Sequence, residues 1–504
     1  MSTPSNSSPV PPLTRTQWLI IIIASIGFLF DTYELLMTPL VGVPAIAELL
    51  RIPPNHPTVS EWMGKLLWIT ALCGGVFGLL GGWLIDRLGR KSIMAASIFL
   101  YSLSPFAAAY STSLEMFIFF RCTTFIGVCV EFVAAITWLA EVFEDKKQRA
   151  RWLGITQAFA SLGGVLVTAV AIWLRNHQLP SWGLPSAVGS NSPDTWRYLL
   201  MTGLLPAIPI AILLPFVPES RVWKEKKLAG KLQRPSFLAL FSPELRRVTF
   251  VTAALSACAY GIAFGALQLT PKSITPGLPE LAAEAKALAP LRIEATKLNK
   301  EFDNTKPATP ERKAVVEKLK ANKAAQDPYT KVVSAKGDSV QFYQEMGGLT
   351  GRILLAVLVI YGMGRFALLR IFQIPALIFL PLTYLGLFQK GGEGFMWAYA
   401  ICGLVTVAQF SYMGEYLPKV FPMHLRGTGG SFATNVGGRM IGTSMALVTT
   451  NLVAPMLSGG AELTRAVHYA QAAGYVAGAI ALISLVIGCF LPAPKPEEPA
   501  YEIR

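Results

Sequence analysis

Two acidic residues interrupt an otherwise apolar run near the start of the chain, in Gly27-Phe28-Leu29-Phe30-Asp31-Thr32-Tyr33-Glu34. An ionisable side chain at the centre of a membrane helix costs roughly 2.5–3.5 kcal/mol on insertion scales, so such groups usually face a cavity or a partner. Their spacing puts Asp31 and Glu34 on one helical face. Two close carboxyls in a low dielectric resist double ionisation, which keeps a proton on one of them near neutral pH. A proton-coupling site needs such a group, able to load from one side and unload to the other. The alternative use is a structural pair that holds the first helix against its neighbours. Arg121 and Glu131 lie together in another apolar run, about three turns apart on a helix and too far to pair with each other. Arg121 suits two tasks, as counter-charge to Asp31 or Glu34 or as a bidentate ligand for an anionic substrate. Asp31, Glu34, Arg121 and Glu131 are therefore the candidate proton-coupling residues.

Candidate substrate contacts are Tyr33 and Arg121 together with the polar and aromatic groups of the other apolar runs: Gln157, Tyr260, Gln268, Tyr399, Gln409 and Tyr412. Single Gln and Tyr residues in membrane helices more often satisfy a neighbour than hold a ligand. Enzyme chemistry has little support. No G-x-x-x-x-G-K-[ST] phosphate loop is present, and His56, His177, His424 and His468 are dispersed without metal-ligand spacing. The six cysteines fall in apolar runs with no C-x-x-C pair, as small buried hydrophobes do. Neither a cofactor nor a metal is expected.

The elements that must position these residues are membrane helices. The 504-residue chain is 53% hydrophobic and 15% charged, against about 25% charged in globular proteins. Apolar stretches long enough to cross a ~30 Å hydrocarbon core recur throughout. Twelve spans are read near 16–40, 62–84, 92–111, 114–140, 152–174, 196–217, 248–269, 347–363, 371–388, 394–414, 429–456 and 468–492. The net charge of +14 is distributed by topology and so does not indicate nucleic acid. Arg87, Arg90 and Lys91 follow the second span, Lys146, Lys147, Arg149 and Arg151 the fourth, and a basic run 221–247 the sixth. Arg365 and Arg370 follow the eighth span, and Lys419 and Arg426 the tenth. The opposite short loops are poor in positive charge, which places both termini in the cytoplasm of a bacterial-type inner or plasma membrane. Residues 1–15 and 493–504 read as a disordered cytoplasmic N-terminus and a cytoplasmic tail.

The loop 270–345 is long, rich in Lys, Glu and Ala, and lies on the outer side. Pro279–Phe302 and Pro310–Ala325 have helical composition and predict a helical hairpin outside the membrane, as a solvated insertion or as a lid or docking site for a protein partner.

The polar turn Gly81–Lys91 links the second and third spans. Gly82 and Gly89 allow close backbone approach, and Asp86 is placed to accept from a neighbouring helix N-terminus. Residues 141–164 also align with 415–438: Glu141 to Gly163-Gly164 covers the same interval as Glu415 to Gly437-Gly438. The chain then divides into a six-helix bundle 16–217, a linker 218–247 and a second bundle 248–492 carrying the insertion. Glu141 is expected to pair with a basic loop residue such as Arg90, and Arg439 with Glu415.

Several of these stretches resemble motifs of the major facilitator superfamily. Gly82, Asp86, Arg87, Gly89, Arg90 and Lys91 match its G-x-x-x-D-R-x-G-R-K signature loop. Arg121 with Gly127 resembles the arginine–glycine pattern of its fourth helix, with Cys129 in place of the second small residue. Pro218-Glu219-Ser220-Arg221 resembles P-E-S-P-R without its second proline, and Glu415-Tyr-Leu-Pro with Arg426-Gly427-Thr428-Gly429 resembles the run between helices ten and eleven. Asp31 matches the first acid of the D-G-x-D motif of metabolite and aromatic-acid proton symporters, and Glu34 stands for the second. The Gly-Pro pair resembling the family's antiporter motif is missing at Gly163-Gly164, which disfavours drug/proton antiport. The resemblance implies an all-α fold of twelve transmembrane helices in two six-helix halves, and a secondary transporter taking a small polar organic solute, an organic acid or sugar-like metabolite, together with protons. A facilitative uniporter and a transporter-like receptor are the alternatives. Gly82, Asp86, Arg87, Gly89, Arg90, Lys91, Glu141, Arg149, Glu415, Arg426 and Arg439 would serve the conformational cycle.

Overall fold

A computed structural model describes residues 13–52, 57–143, 146–177, 179–186, 193–229, 236–305, 309–457 and 465–493. Of the predicted terminal segments 1–15 and 493–504, residues 1–12 and 494–504 lie outside them, as do Lys231 and Arg234 of the linker, while Thr14 and Arg15 already begin the first helix.

The described chain is helical: α1 (Arg15–Leu50), α2 (Pro57–Leu88), α3 (Arg90–Ala108), α4 (Leu114–Val142), α5 (Lys146–Asn176) and α6 (Thr195–Phe216) come first. A short helix, α7 (Arg221–Leu228), lies in the linker. Then follow α8 (Arg246–Gly277), α9 (Ala282–Asn304), α10 (Pro310–Ile360), α11 (Arg365–Leu387), α12 (Gly392–Val420), α13 (Met423–Leu457) and α14 (Arg465–Gly488). Among the described residues, eleven helices are long and apolar enough to cross a membrane. The remaining predicted span, α3, is only 19 residues, begins with Arg90 and Lys91 and carries four serines, so its mean hydropathy is lower. The chain is an integral membrane protein.

Helix starts follow capping chemistry. Thr14 and Gln17 form a reciprocal box at α1, and the Ser113 hydroxyl accepts from the N–H of Met116 at α4. Thr309, followed by Pro310 at the first helical position, starts α10. Large apolar side chains such as Val76, Phe119, Trp173, Ile212, Phe250 and Trp397 point outward, as lipid-facing groups must.

The hairpin differs from its sequence reading in extent. Residues 270–277 continue α8, and the second arm runs through Ala325 without a break into the eighth span as one 51-residue helix. Its Gly337, Val340, Gln341, Gln344 and Glu345 are buried at helical spacing, which holds the region 326–346 on the bundle. Leu288, Ala295, Leu298 and Phe302 of α9 and Val315 of α10 are buried in the hairpin. On the same side of the molecule Arg197 of α6 pairs with Glu48 of α1 at 2.7 Å and donates to the carbonyls of Ala109 and Ser111, at 2.6 and 3.0 Å.

The aligned glycine pairs occupy equivalent places. A Cβ at Gly163 of α5 would collide with the carbonyl of Leu29 in α1, and one at Gly437 of α13 with the carbonyl of Ala253 in α8. A Cβ at Gly164 would stand 2.8 Å from Leu36, and one at Gly438 2.7 Å from the Tyr260 ring. Ala253 and Tyr260 each stand 224 residues after Leu29 and Leu36, so α8 repeats α1 in register. By that register Leu255 replaces Asp31 and Cys258 replaces Glu34. The acids belong to one half only.

Candidate functional site: a charged seam between two helical halves

At one end of the seam the polar link between α2 and α3 is latched to the start of α13. Asp86 accepts from the N–H groups of Gly427 and Thr428, at 3.1 and 2.8 Å, and from the Thr428 hydroxyl at 2.9 Å. This is a carboxylate on a helix N-terminus, as the sequence predicts. Gly82 and Gly427 are required by contact: a Cβ on either would come within 2.5–2.6 Å of the other's carbonyl oxygen. Arg90, only 1% exposed, makes the expected pair with Glu141 through two bonds of 3.0 Å. It also reaches the carbonyl of Met423 at 3.4 Å, across the seam. Ser220 donates to Glu141 at 2.5 Å, and Glu219 accepts the N–H groups of Arg90 and Lys91 at 2.9 Å, so the Pro-Glu-Ser stretch closes the same network. Gly89, at φ +111°, makes the bend that aims them there. Arg426 approaches Glu141 at 3.9 Å, Arg149 donates to the carbonyl of Phe143, and Arg87 lies over the Trp83 ring at 4.8 Å.

Deeper in the seam, α1 presents its two acids to different arginines. Arg121 of α4 stands 3.6 Å from the Glu34 carboxylate and donates to the Glu34 carbonyl at 3.1 Å and the Thr38 hydroxyl at 2.5 Å. Asp31 faces Arg439, with both carboxylate oxygens 3.5 Å from one guanidinium nitrogen. This corrects the expected Arg439–Glu415 pair. Arg439 lies a further turn along α13 and turns inward, where Asn435 and the Val128 carbonyl accept from it at 3.1 and 3.2 Å, while Glu415 is taken by Lys419 one turn along α12. Phe132 and Phe125 flank the Arg439 guanidinium at 5.6 and 6.0 Å. A third carboxyl, Glu131 of α4, reaches α1 one turn before Asp31. Glu131 lies against Gly27, is fully buried, and neither oxygen has a hydrogen-bond partner.

Between α1, α2, α4, α8 and α13 is a cavity of about 20 Å³ lined by Thr38, Thr70, Phe125, Phe264, Gln268 and Thr443 among others, room for about one water. Tyr260 stacks with Phe264 at 6.1 Å and packs edge-on to Phe410 at 4.6 Å.

The family model described as Major Facilitator Superfamily matches residues 20–289, more than half of the chain. The chain belongs to that superfamily. Its sequence is 25% identical over 214 residues to the niacin transporter NiaP of Acinetobacter baylyi, 42% of each chain. It is 30% identical over 235 residues to the 4-hydroxybenzoate transporter PcaK of Pseudomonas aeruginosa, 46% of this chain and 47% of that one. These matches span less than half of each relative. Among solved structures, the proton:xylose symporter XylE aligns with a TM-score of 0.61 over 95% of this chain and 96% of its own, at 16% identity, and shares the fold.

Within this major facilitator fold the remaining candidates separate. Tyr33 is spent on Thr202 at 2.5 Å. Tyr399 donates to the Leu267 carbonyl and the Gln344 side chain at 2.8 and 2.7 Å. Gln409 donates to the Val405 carbonyl at 3.1 Å and Tyr412 to the Arg365 carbonyl at 3.3 Å. These last three are held by neighbours inside the C-terminal half. Tyr260, Gln268 and Gln157 remain at the seam. The sequence reading missed two charged residues there: Arg352, which donates to the main-chain oxygen of Gln157, and Glu345, packed on Gly164. Both stand on α10, two turns apart. An arginine inside the apolar run 347–363 is the signal that marks this face.

Proposed function

We propose that this protein is a secondary active transporter that carries a small organic acid together with protons, by alternating exposure of the seam between residues 16–217 and 248–492, with 218–247 as the link. The observation that carries the reading is the Asp31–Arg439 ion pair across the seam, with Glu131 unpartnered beside it. A buried ion pair with a second carboxyl one helical turn away is poorly suited to carrying two full negative charges. A proton arriving at this site weakens the charged link between α1 and α13, and the halves are freed to part. The positive-inside distribution puts the Asp86 latch on the cytoplasmic side of a plasma or bacterial inner membrane. The arrangement then corresponds to a sealed state latched at the cytoplasmic end.

The relatives named as niacin and 4-hydroxybenzoate transporters favour an organic acid. A sugar-like substrate is the second reading, supported by the fold shared with XylE. Uptake by proteoliposomes with and without an imposed pH gradient tests coupling. Accumulation that requires the gradient and disappears in Asp31→Asn supports symport. Equilibration indifferent to the gradient replaces symport with uniport, and binding without passage replaces it with a receptor.

A further inference from the structure

We propose that Arg352 and Gln157 form the carboxylate-holding end of the substrate site, so that the ligand bridges the two halves as a small organic anion. The inference rests on the transporter reading above and names the chemistry of its site.

The two residues meet where α10 packs on α5. A Cβ at Gly154 would stand 2.7 Å from Ala356, and one at Gly164 2.9 Å from the carboxyl carbon of Glu345. With Gln157 between them, these glycines bring α10 close to the seam surface of α5. Among the described residues Arg352 makes one hydrogen bond, to the main-chain oxygen of Gln157. That oxygen belongs to a helix interior and has a ladder partner of its own, so the bond leaves most of the guanidinium's capacity unused. Its Nε–H is buried without a partner. So is the side-chain amide nitrogen of Gln157, a residue 2% exposed. The Gln157 amide lies flat on Gly414 of α12, where a Cβ would come within 2.7 Å of both its polar atoms.

Two donors without partners, one from each half, thus lie where α5 meets α10 and α12. A carboxylate supplies the two acceptors they lack. A buried donor left unmade is unfavourable, and an anion that satisfies both is favoured by the same amount. The other seam arginines are less available. Arg121 and Arg439 each face a carboxylate at 3.6 and 3.5 Å, whereas among the described residues no carboxylate lies within ion-pair distance of Arg352. The acids in its wider field are Glu345 on its own helix and Asp31 on α1, with Tyr260 on α8. Protonation at the Asp31 site therefore removes a charge that repels the incoming anion, which ties proton and substrate to one another.

The test is ligand binding to the purified full-length protein, read by thermal unfolding and by calorimetry. The probes are nicotinate, 4-hydroxybenzoate, a panel of aliphatic mono- and dicarboxylates, and D-xylose. One or more carboxylates is expected to stabilise the native protein while D-xylose does not. Arg352→Gln and Gln157→Ala each weaken that binding by at least about tenfold, the loss of one charge-assisted contact. Arg352→Lys retains part of it, and Gln157→Glu abolishes it by charge at nearly constant size. Unfolding without ligand reports whether a variant is folded; should Arg352→Gln not fold, Gln157→Glu decides. Undiminished carboxylate affinity in the folded variants overturns the inference and leaves proton coupling standing. Binding of D-xylose but of no carboxylate, or of no probe at all, overturns it too. Proteoliposome uptake, which does not depend on these variants, separately tests the transporter reading.

Discussion

Arg439 on α13 faces Asp31 on α1 with one guanidinium nitrogen 3.5 Å from each carboxylate oxygen, and the two residues belong to opposite halves of the chain. The pair has no repeat counterpart, because the register of α8 on α1 puts Leu255 where Asp31 would stand. Glu131 lies beside it with both oxygens unbonded. The two carboxyls are of unequal standing, one paired and one without a hydrogen bond, and each should respond differently to neutralisation.

Asp31→Asn removes the charged partner of a buried arginine and is expected to destabilise the protein by about 3–5 kcal/mol. Glu131→Gln exchanges a buried carboxyl that makes no hydrogen bond for an amide of the same size, so it is expected to destabilise the protein less than Asp31→Asn does. Both variants lose gradient-driven accumulation if the two acids share one transported proton. Thermal unfolding of the two variants in one detergent, with proteoliposome uptake alongside, measures both effects. Equal destabilisation of the two would mean that Glu131 is held as firmly as Asp31.

Glu141→Ala strips the bidentate partner from Arg90, whose side chain is buried, and is expected to cost about 3–5 kcal/mol. Arg221 and Glu225 pair at 2.7 Å but are 84% and 49% exposed, so Glu225→Ala is expected to change stability by less than about 1 kcal/mol. The comparison needs only the unfolding temperatures of the two variants. Distance alone would rank them the other way, and burial decides.

The fold was legible because a bilayer demands apolar runs of one length, and because charged turns fall at fixed places between them. The latch was legible for the same reason: Asp86, Gly82 and Arg90 sit within one short polar segment, and a carboxylate there needs a helix N-terminus. The seam was harder. Asp31 and Glu34 lie on one helix face in sequence, which suggested a mutual pair, yet each turns to a different arginine, and the second acid of the Asp31 site comes from α4. Arg439 was assigned to Glu415 because both lie near the same loop, but a further turn of α13 carries it inward. Arg352 is hard to see in the sequence because a single charge does not break the apolar run 347–363. Pairing between helices depends on rotation about their axes, and a single sequence does not carry that angle.

Gly427→Ala places a methyl 2.6 Å from the Gly82 carbonyl and 3.0 Å from an Asp86 oxygen. Overpacking of this kind costs about 1–3 kcal/mol. It falls on the state in which the latch is closed, so the variant should shift the molecule toward opening at that end. The measure is alkylation of a cysteine placed at Leu425, buried in the latched state, on a background lacking the native cysteines. Faster alkylation in Gly427→Ala than in the parent is expected, and an unchanged rate would mean that the latch yields without opening.

The hairpin is rooted outside the spans by Glu280, which accepts from Lys336 at 2.9 Å and from the Gly392 N–H at 3.3 Å, with Lys272 and Asp338 paired at 3.2 Å nearby. Partial burial pushes the Glu280 carboxyl up, but the Lys336 bond and the backbone donors outweigh it and hold the group below its ordinary value. A carboxyl depressed in the folded protein adds stability above its unfolded value, about 4.3, and loses it as pH falls through the lower folded value. The root should therefore stay firm at neutral pH and loosen only below about pH 4, with a free-energy change of no more than about 1 kcal/mol because the pair is partly solvated. Hydrogen exchange over 270–282 and 390–394 follows it directly. Lys336→Gln is expected to raise exchange there at neutral pH and to flatten its acid dependence, while a root held by packing alone would show neither change.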